Sequence, residues 1–277
     1  MGPYALLNFE PTVAVVVVVI MSLLFSLGGL YAVRRLVPHH VLEHHNDVAG
    51  FIYAVVGVIY AAILAFVFIM VWEQFSETER VLEKEGSAMA SLYREVQAFS
   101  GPEQMTLRTA MYLYAKRVAD DEWNLMTRGE TSQKARDQYN IIWDTLRTMK
   151  VKDAAEANWH AEMLKRLNEL AENRRIRTTY GSGETESLLW MVLISGGLIT
   201  ICYTYMYGVH RILPQALMTG ALAVLIGVTL LSIFRMQHPF TGRVALHPEA
   251  FVREIGSFER QMTAQRIPFP EPPGPAH

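Results

Sequence analysis

Four apolar runs dominate the pattern of this chain: Thr12–Val33, Val48–Trp72, Ser187–Val209 and Ile212–Phe234. None contains Asp, Glu, Lys, Arg or His. Each has roughly the 20 residues or more that a helix needs to cross a hydrocarbon core of ~30 Å. They form two close pairs, with a long charged segment between the pairs. The pattern predicts an all-α integral membrane protein with four transmembrane helices in two hairpins and a helical-bundle extramembrane domain between them. Residues 1–47 hold the first span and a His-rich connection, and 48–75 the second span. Residues 76–183 form the helical domain, 187–234 the third and fourth spans, and 235–277 a C-terminal segment with a Pro-rich tail.

The middle segment alternates at helical spacing. No Pro or Gly interrupts Val58–Glu85, so the second span is expected to leave the membrane as one long helix. Ser100, Pro102 and Glu103 read as a helix start with a capping box. Leu107, Met111, Tyr114 and Val118 then share one face. After Gly129, Thr131 or Ser132 caps a helix striped by Ala135, Tyr139, Ile142, Leu146 and Met149. A last helix from about Asp153 carries Trp159, Met163, Leu167 and Leu170, and Gly181-Ser182-Gly183 suggests a hinge into the third span. The ending FPEPPGPAH cannot continue a helix through its prolines.

Within the membrane the second span has two unlike faces. Gly50, Ala54, Gly57, Ala61 and Ala65 align as a strip of small residues that admits another helix closely, in the same chain or a second subunit. Ile52, Ile59, Ile63, Phe66 and Met70 form the opposite face, which meets lipid or lines a pore as a hydrophobic constriction. In the third span Gly196, Thr200, Tyr203 and Tyr207 make a polar intramembrane stripe. Hydroxyls in hydrocarbon are costly unless bonded, so this stripe faces protein or a water-lined path. Ala216, Gly220, Ala223 and Gly227 repeat the small-residue device in the fourth span.

Charge adds little to this picture. The formal net charge is −2, which gives no reason to expect a nucleic-acid partner. The single cysteine, Cys202, excludes an intrachain disulfide and lies in the third span. The start lacks the basic region of a signal peptide. His40, Glu43 and His44 match the H-x-x-E-H pattern of inverted zinc peptidases, but they occupy a short hairpin connection with no domain to supply a cleft. A divalent cation is the only cofactor those donors suggest, and no catalytic residue is assigned. Glu77, Glu79, Glu83 and Glu85 read as a solvated helix face, a pore-mouth ring or a Ca²⁺ site. Arg174, Arg175 and Arg177 read as membrane-flanking cations or an anion vestibule. Basic residues stand on both sides of the spans, and the reading adopted puts the helical domain in the cytoplasm of a bacterial inner membrane.

Four blocks, HNDVAGFIYAVVGVIYAAILAFVFIMVWEQF, VLEKEGSAMASLYREV, LYAKRVADDEWNLM and HPFTGRVALHPEAF, resemble the bacterial bestrophin-like membrane family in content and order over about residues 45–251. Asn46, Gly50, Gly57, Tyr60, Ala61, Phe66, Trp72, Glu85, Tyr93, Glu122, Trp123, Pro239, Phe240 and Gly242 occupy its recurring positions. Gln237 departs from it, since an acidic residue is more usual there. The resemblance implies the layout of bestrophins, oligomeric anion channels whose second membrane helix lines a hydrophobic neck. The expected function is therefore a homo-oligomeric, channel-like protein of the lipid bilayer. A non-conducting scaffold or sensor whose helical domain binds a protein partner is the rival class.

Overall fold

The computed structural model describes residues 7, 9–37, 46–181, 187–243 and 245–267. They are helical throughout, with short connections and no strand among the described residues. Helix α1 is Pro11–Leu36, α2 Asn46–Glu95, α3 Pro102–Arg117, α4 Trp123–Met126, α5 Gln133–Thr148, α6 Ala154–Gly181, α7 Ser187–Tyr205, α8 Ile212–Met236 and α9 Glu249–Ala264. A π-helical turn, Val118–Glu122, joins α3 to α4. The chain divides into two compact units, 1–75 with 184–244 and 76–183 with 245–277.

The membrane unit contains four helices long and apolar enough to cross a bilayer, α1, the first part of α2, α7 and α8. Helix α8 packs along α1, and α7 packs on both. The small residues of α8 make this approach possible. A Cβ on Gly220 would come within 3.0 Å of Leu23, and one on Gly227 would collide with the Ser22 hydroxyl, while Ala223 is fully packed. One apolar cluster joins Leu30, Tyr60, Ile201, Tyr205, Ala223 and Ile226, and a second joins Val67, Val71, Leu193 and Ile233. Polar bonds fasten both ends of the unit. At one, Arg34 donates to Gln215 Oε1 (2.6 and 3.0 Å) and to the Val209 carbonyl, and Asn46 exchanges two 3.0 Å bonds with the Gly208 backbone. At the other, Gly242 adopts φ +92° where any Cβ would meet the Leu7 carbonyl. The Arg243 amide donates to that carbonyl (3.3 Å), and the Arg235 guanidinium donates to the Phe9 carbonyl (3.1 Å).

The extramembrane unit is a helical bundle. Leu107, Met111, Tyr114 and Val118 of α3 and its π turn are all buried, as are Ala135, Ile142 and Leu146 of α5, so those stripes form its core. Ser132 caps α5 by accepting from the Ala135 amide (3.3 Å). Two local expectations are corrected. Helix α3 is capped by Gly101 at φ +110° with no side-chain bond, so Ser100 and Glu103 do not form the capping box. Trp159 is 47% exposed, and the buried face of α6 is carried by Met163, Leu167, Leu170 and, further along, Arg177. The segment 235–277 contains a helix, α9, that packs on the bundle. It buries Phe251, Phe258 and Met262, stacks Phe258 on Tyr93 at 3.9 Å between ring centroids, and bonds through Glu259 to the Tyr112 hydroxyl (2.9 Å).

Candidate functional site

Helix α2 places the candidate pore residues. At about 100° per residue, Tyr60, Leu64, Val67 and Val71 fall on one face, and the two predicted faces lie roughly 90° to either side. That middle face is the one the membrane unit uses: Tyr60, Val67 and Val71 are buried, and the Tyr60 hydroxyl donates to the Leu193 carbonyl (3.2 Å). Ile52, Ile59, Phe66 and Met70 are exposed, Phe66 by 75%. Ile63 differs from these four, since it packs half-buried against the Val67–Leu193 cluster.

The small-residue strip is also uncovered. Ala54, Ala61 and Ala65 are exposed, and a Cβ on Gly57 would meet nothing within 4 Å. Only Gly50 has a neighbour at its end of the strip, the Tyr207 hydroxyl at 3.6 Å from an added Cβ. The expectation of packing within the chain is thus corrected for Ala54, Gly57, Ala61 and Ala65. The close helix contact is made instead by glycines of α7: a Cβ on Gly196 would lie 2.6 Å from the Tyr60 ring, and one on Gly197 2.9 Å from its hydroxyl.

The polar stripe of α7 turns towards protein. Gly196 receives Tyr60, the buried Thr200 hydroxyl donates to the Gly196 carbonyl (2.8 Å), and Tyr207 meets Tyr53 edge to face at 5.9 Å. Tyr203 is half-buried. The helix-packing reading accounts for Gly196 and Thr200, whose polar atoms need no water. His40, Glu43 and His44 lie outside the described residues.

The extramembrane unit holds an ionic network that the charge pattern concealed. Glu85, Arg177 and Glu122 are fully buried. Arg177 donates to both oxygens of Glu85 (2.6 and 3.1 Å) and to Glu122 Oε1 (2.8 Å). Arg174 and the Ser132 amide donate to Glu122 Oε2 (2.7 and 3.2 Å), and the Tyr114 hydroxyl donates to Glu85 Oε1 (2.6 Å). Phe251 lies under the Arg177 guanidinium at 5.7 Å. Burial opposes the Arg177 charge, but Glu85 and Glu122 outweigh it and raise its pKa. Burial likewise opposes the Glu122 charge, and Arg177 and Arg174 outweigh it, so its pKa falls below the ordinary glutamate value. Burial, then the Glu85 charge, pushes the Tyr114 phenol well up. Glu85 is therefore no part of a solvated acidic face, and Arg177 is no membrane-flanking cation.

A Bestrophin-like domain model matches residues 20–251. The chain belongs to the bestrophin-like family. The fold agrees with solved structures of bestrophin type. A mutant of a bacterial bestrophin homologue from Klebsiella pneumoniae is 13% identical, with a TM-score of 0.62 over 91% of this chain and 99% of that chain. A further crystal structure of the Klebsiella homologue gives 14%, 0.62, 90% and 98%. A crystal structure of a membrane protein gives 11% identity and a TM-score of 0.66, covering 91% of this chain and 99% of that one. No curated protein matches the chain in sequence.

Several of the bestrophin-like recurring positions are structural joints, while Gly57, Phe66 and Trp72 stay uncovered. Glu85 and Glu122 anchor the network, Trp123 Nε1 donates to the Leu246 carbonyl (3.0 Å), and Gly242 allows the Leu7 approach. Those positions were the available signal for the network. At the departure, Gln237 accepts from Trp190 Nε1 (3.0 Å), so an amide serves where an acid is more usual.

Proposed function

We propose that this bestrophin-like protein assembles as a homo-oligomer around an ion pathway. Ile52, Ile59, Phe66 and Met70 form its hydrophobic neck, with Ile63 at the edge of that face. One observation carries the reading: α2 commits a single narrow face to its own unit and leaves a small-residue face and a bulky apolar face uncovered. Small residues favour close approach by a neighbouring copy's helix. The bulky face then turns to the axis, where a dry constriction gates by dewetting. The layout matches the channel organisation that the family resemblance implies, and the reading extends to a bacterial inner membrane with the helical domain in the cytoplasm.

Planar-bilayer recording of purified wild type, Ile59→Ser and Phe66→Ser tests it. Ile59 is a cleaner probe than Ile63, which also holds its own unit together. A serine at Ile59 wets the neck and raises basal current several-fold, while its hydroxyl bonds back to the helix and keeps the fold. Silent wild type and silent variants, all folded and assembled, would favour the scaffold class.

A further inference from the structure

Beyond the pore face, the membrane unit has an open pocket of about 400 Å³ between α2, α7 and α8. That volume lies in the range of small-molecule sites. Apolar side chains, Met218 and Leu222 among them, make up much of the wall. The polar wall is nearly all committed. Gln215 accepts from Arg34 and donates to the Thr204 and Tyr207 carbonyls (3.1 and 3.0 Å), and the Thr219 hydroxyl donates to Thr204 Oγ1 (3.1 Å). Tyr53 and Tyr207 also line the pocket, and their hydroxyls have no hydrogen-bond partner among the described residues. A phenol at the bilayer interface presents its hydroxyl to whatever acceptor reaches it there.

We propose that this pocket holds the ester-carbonyl region of a bilayer glycerolipid, with the Tyr53 and Tyr207 hydroxyls donating to its carbonyl oxygens. Three features select that occupant. The free groups are donors without charge, so they suit a neutral acceptor. The remaining wall suits acyl chain. Val209, which also lines the pocket, lies between the end of α7 at Tyr205 and the start of α8 at Ile212, and helix ends stand at the bilayer interface where ester groups reside. The Arg34–Gln215 and Asn46–Gly208 bonds fix the wall before any ligand arrives. The inference does not rest on conduction.

The test uses the full-length protein, equilibrated with equal amounts of an ester-linked phosphatidylcholine and its ether-linked counterpart of equal chain length. Retained lipid is weighed by native mass spectrometry. An ether lacks the carbonyl acceptors and leaves everything else in place. With two hydrogen bonds at stake, the ester lipid should be retained roughly tenfold in excess. Tyr53→Phe/Tyr207→Phe should bring the ratio close to one, each single variant should give an intermediate ratio, and Met218→Trp at the pocket wall should lower both lipids. A wild-type ratio near one would overturn the proposal. So would a ratio unchanged in a folded double variant, or lipid retention unaffected by Met218→Trp. A pocket filled by a neighbouring copy would give that same wild-type ratio near one.

Discussion

Arg177 neutralises two carboxylates that have no route to water, so its removal is the most damaging single change expected outside the membrane. Arg177→Met keeps the apolar stem and strands Glu85 with only the Tyr114 hydroxyl. Breaking a buried pair in this way costs ~3–5 kcal/mol. Denaturant unfolding should register it, and a loss below about 1 kcal/mol would contradict the burial described. Arg177→Lys restores charge without the planar fork and should recover only part of the loss. The same network predicts acid sensitivity. An unfolded glutamate titrates near ~4.3, and folded Glu122 titrates lower. Its contribution is therefore fully present above that value and is lost as pH falls through the folded pKa. Melting between about pH 5 and pH 3 should lower Tm less steeply in Glu122→Gln than in wild type, relative to each protein's own neutral value. None of this was legible locally. Glu85 sits in a run of acids that resembles a solvated face, and its partners arrive 29 and 92 residues later.

At the scale of elements, strong periodicity was readable and side assignment was not. The stripe of α5 became core because that helix presents one apolar face and a polar remainder, whereas α3 is buried all round from Ala110 to Ala115, so its predicted stripe is only part of what it buries. Helix α2 is apolar all round within the membrane, so its sequence offered faces without saying which met its own chain. The structure separates two glycines that look alike in sequence. Gly227→Leu drives a side chain into Ser22 of α1 and should destabilise the single chain, since overpacking costs ~1–3 kcal/mol. Gly57→Leu meets open space within the chain, so the fold should survive while the oligomer weakens. Size exclusion beside tryptophan-fluorescence melting distinguishes them; an unchanged Gly57→Leu oligomer would remove the small-residue face from any subunit contact. Helix α9 carries its signal in Phe251, Phe258 and Met262, whose spacings of seven and four mark one face, within a short amphipathic stretch that runs into a Pro-rich ending.

For the whole molecule, the four spans and the helical bundle were visible in the partition of apolar and charged segments. The side of the membrane was not, since basic residues flank the spans at both ends. Cysteine reporters in a Cys202→Ala background address it. Gln133→Cys is exposed at the start of α5, where Ser132 is buried as a cap, and Arg211→Cys is exposed between α7 and α8. With the domain in the cytoplasm, an impermeant thiol reagent should label Arg211→Cys on intact cells and Gln133→Cys only after lysis. The reverse pattern would put the bundle in the periplasm. The clasp between Leu7 and Arg243 has a consequence in time. A ribosome adding ~5–20 residues per second needs about 10–50 s between making these two residues. For most of that interval the first span has no α8 to pack on, and until its end no Arg243 to hold its entrance. The first hairpin must therefore wait in the bilayer, glycine-notched and half-wrapped in lipid, until the last span is made.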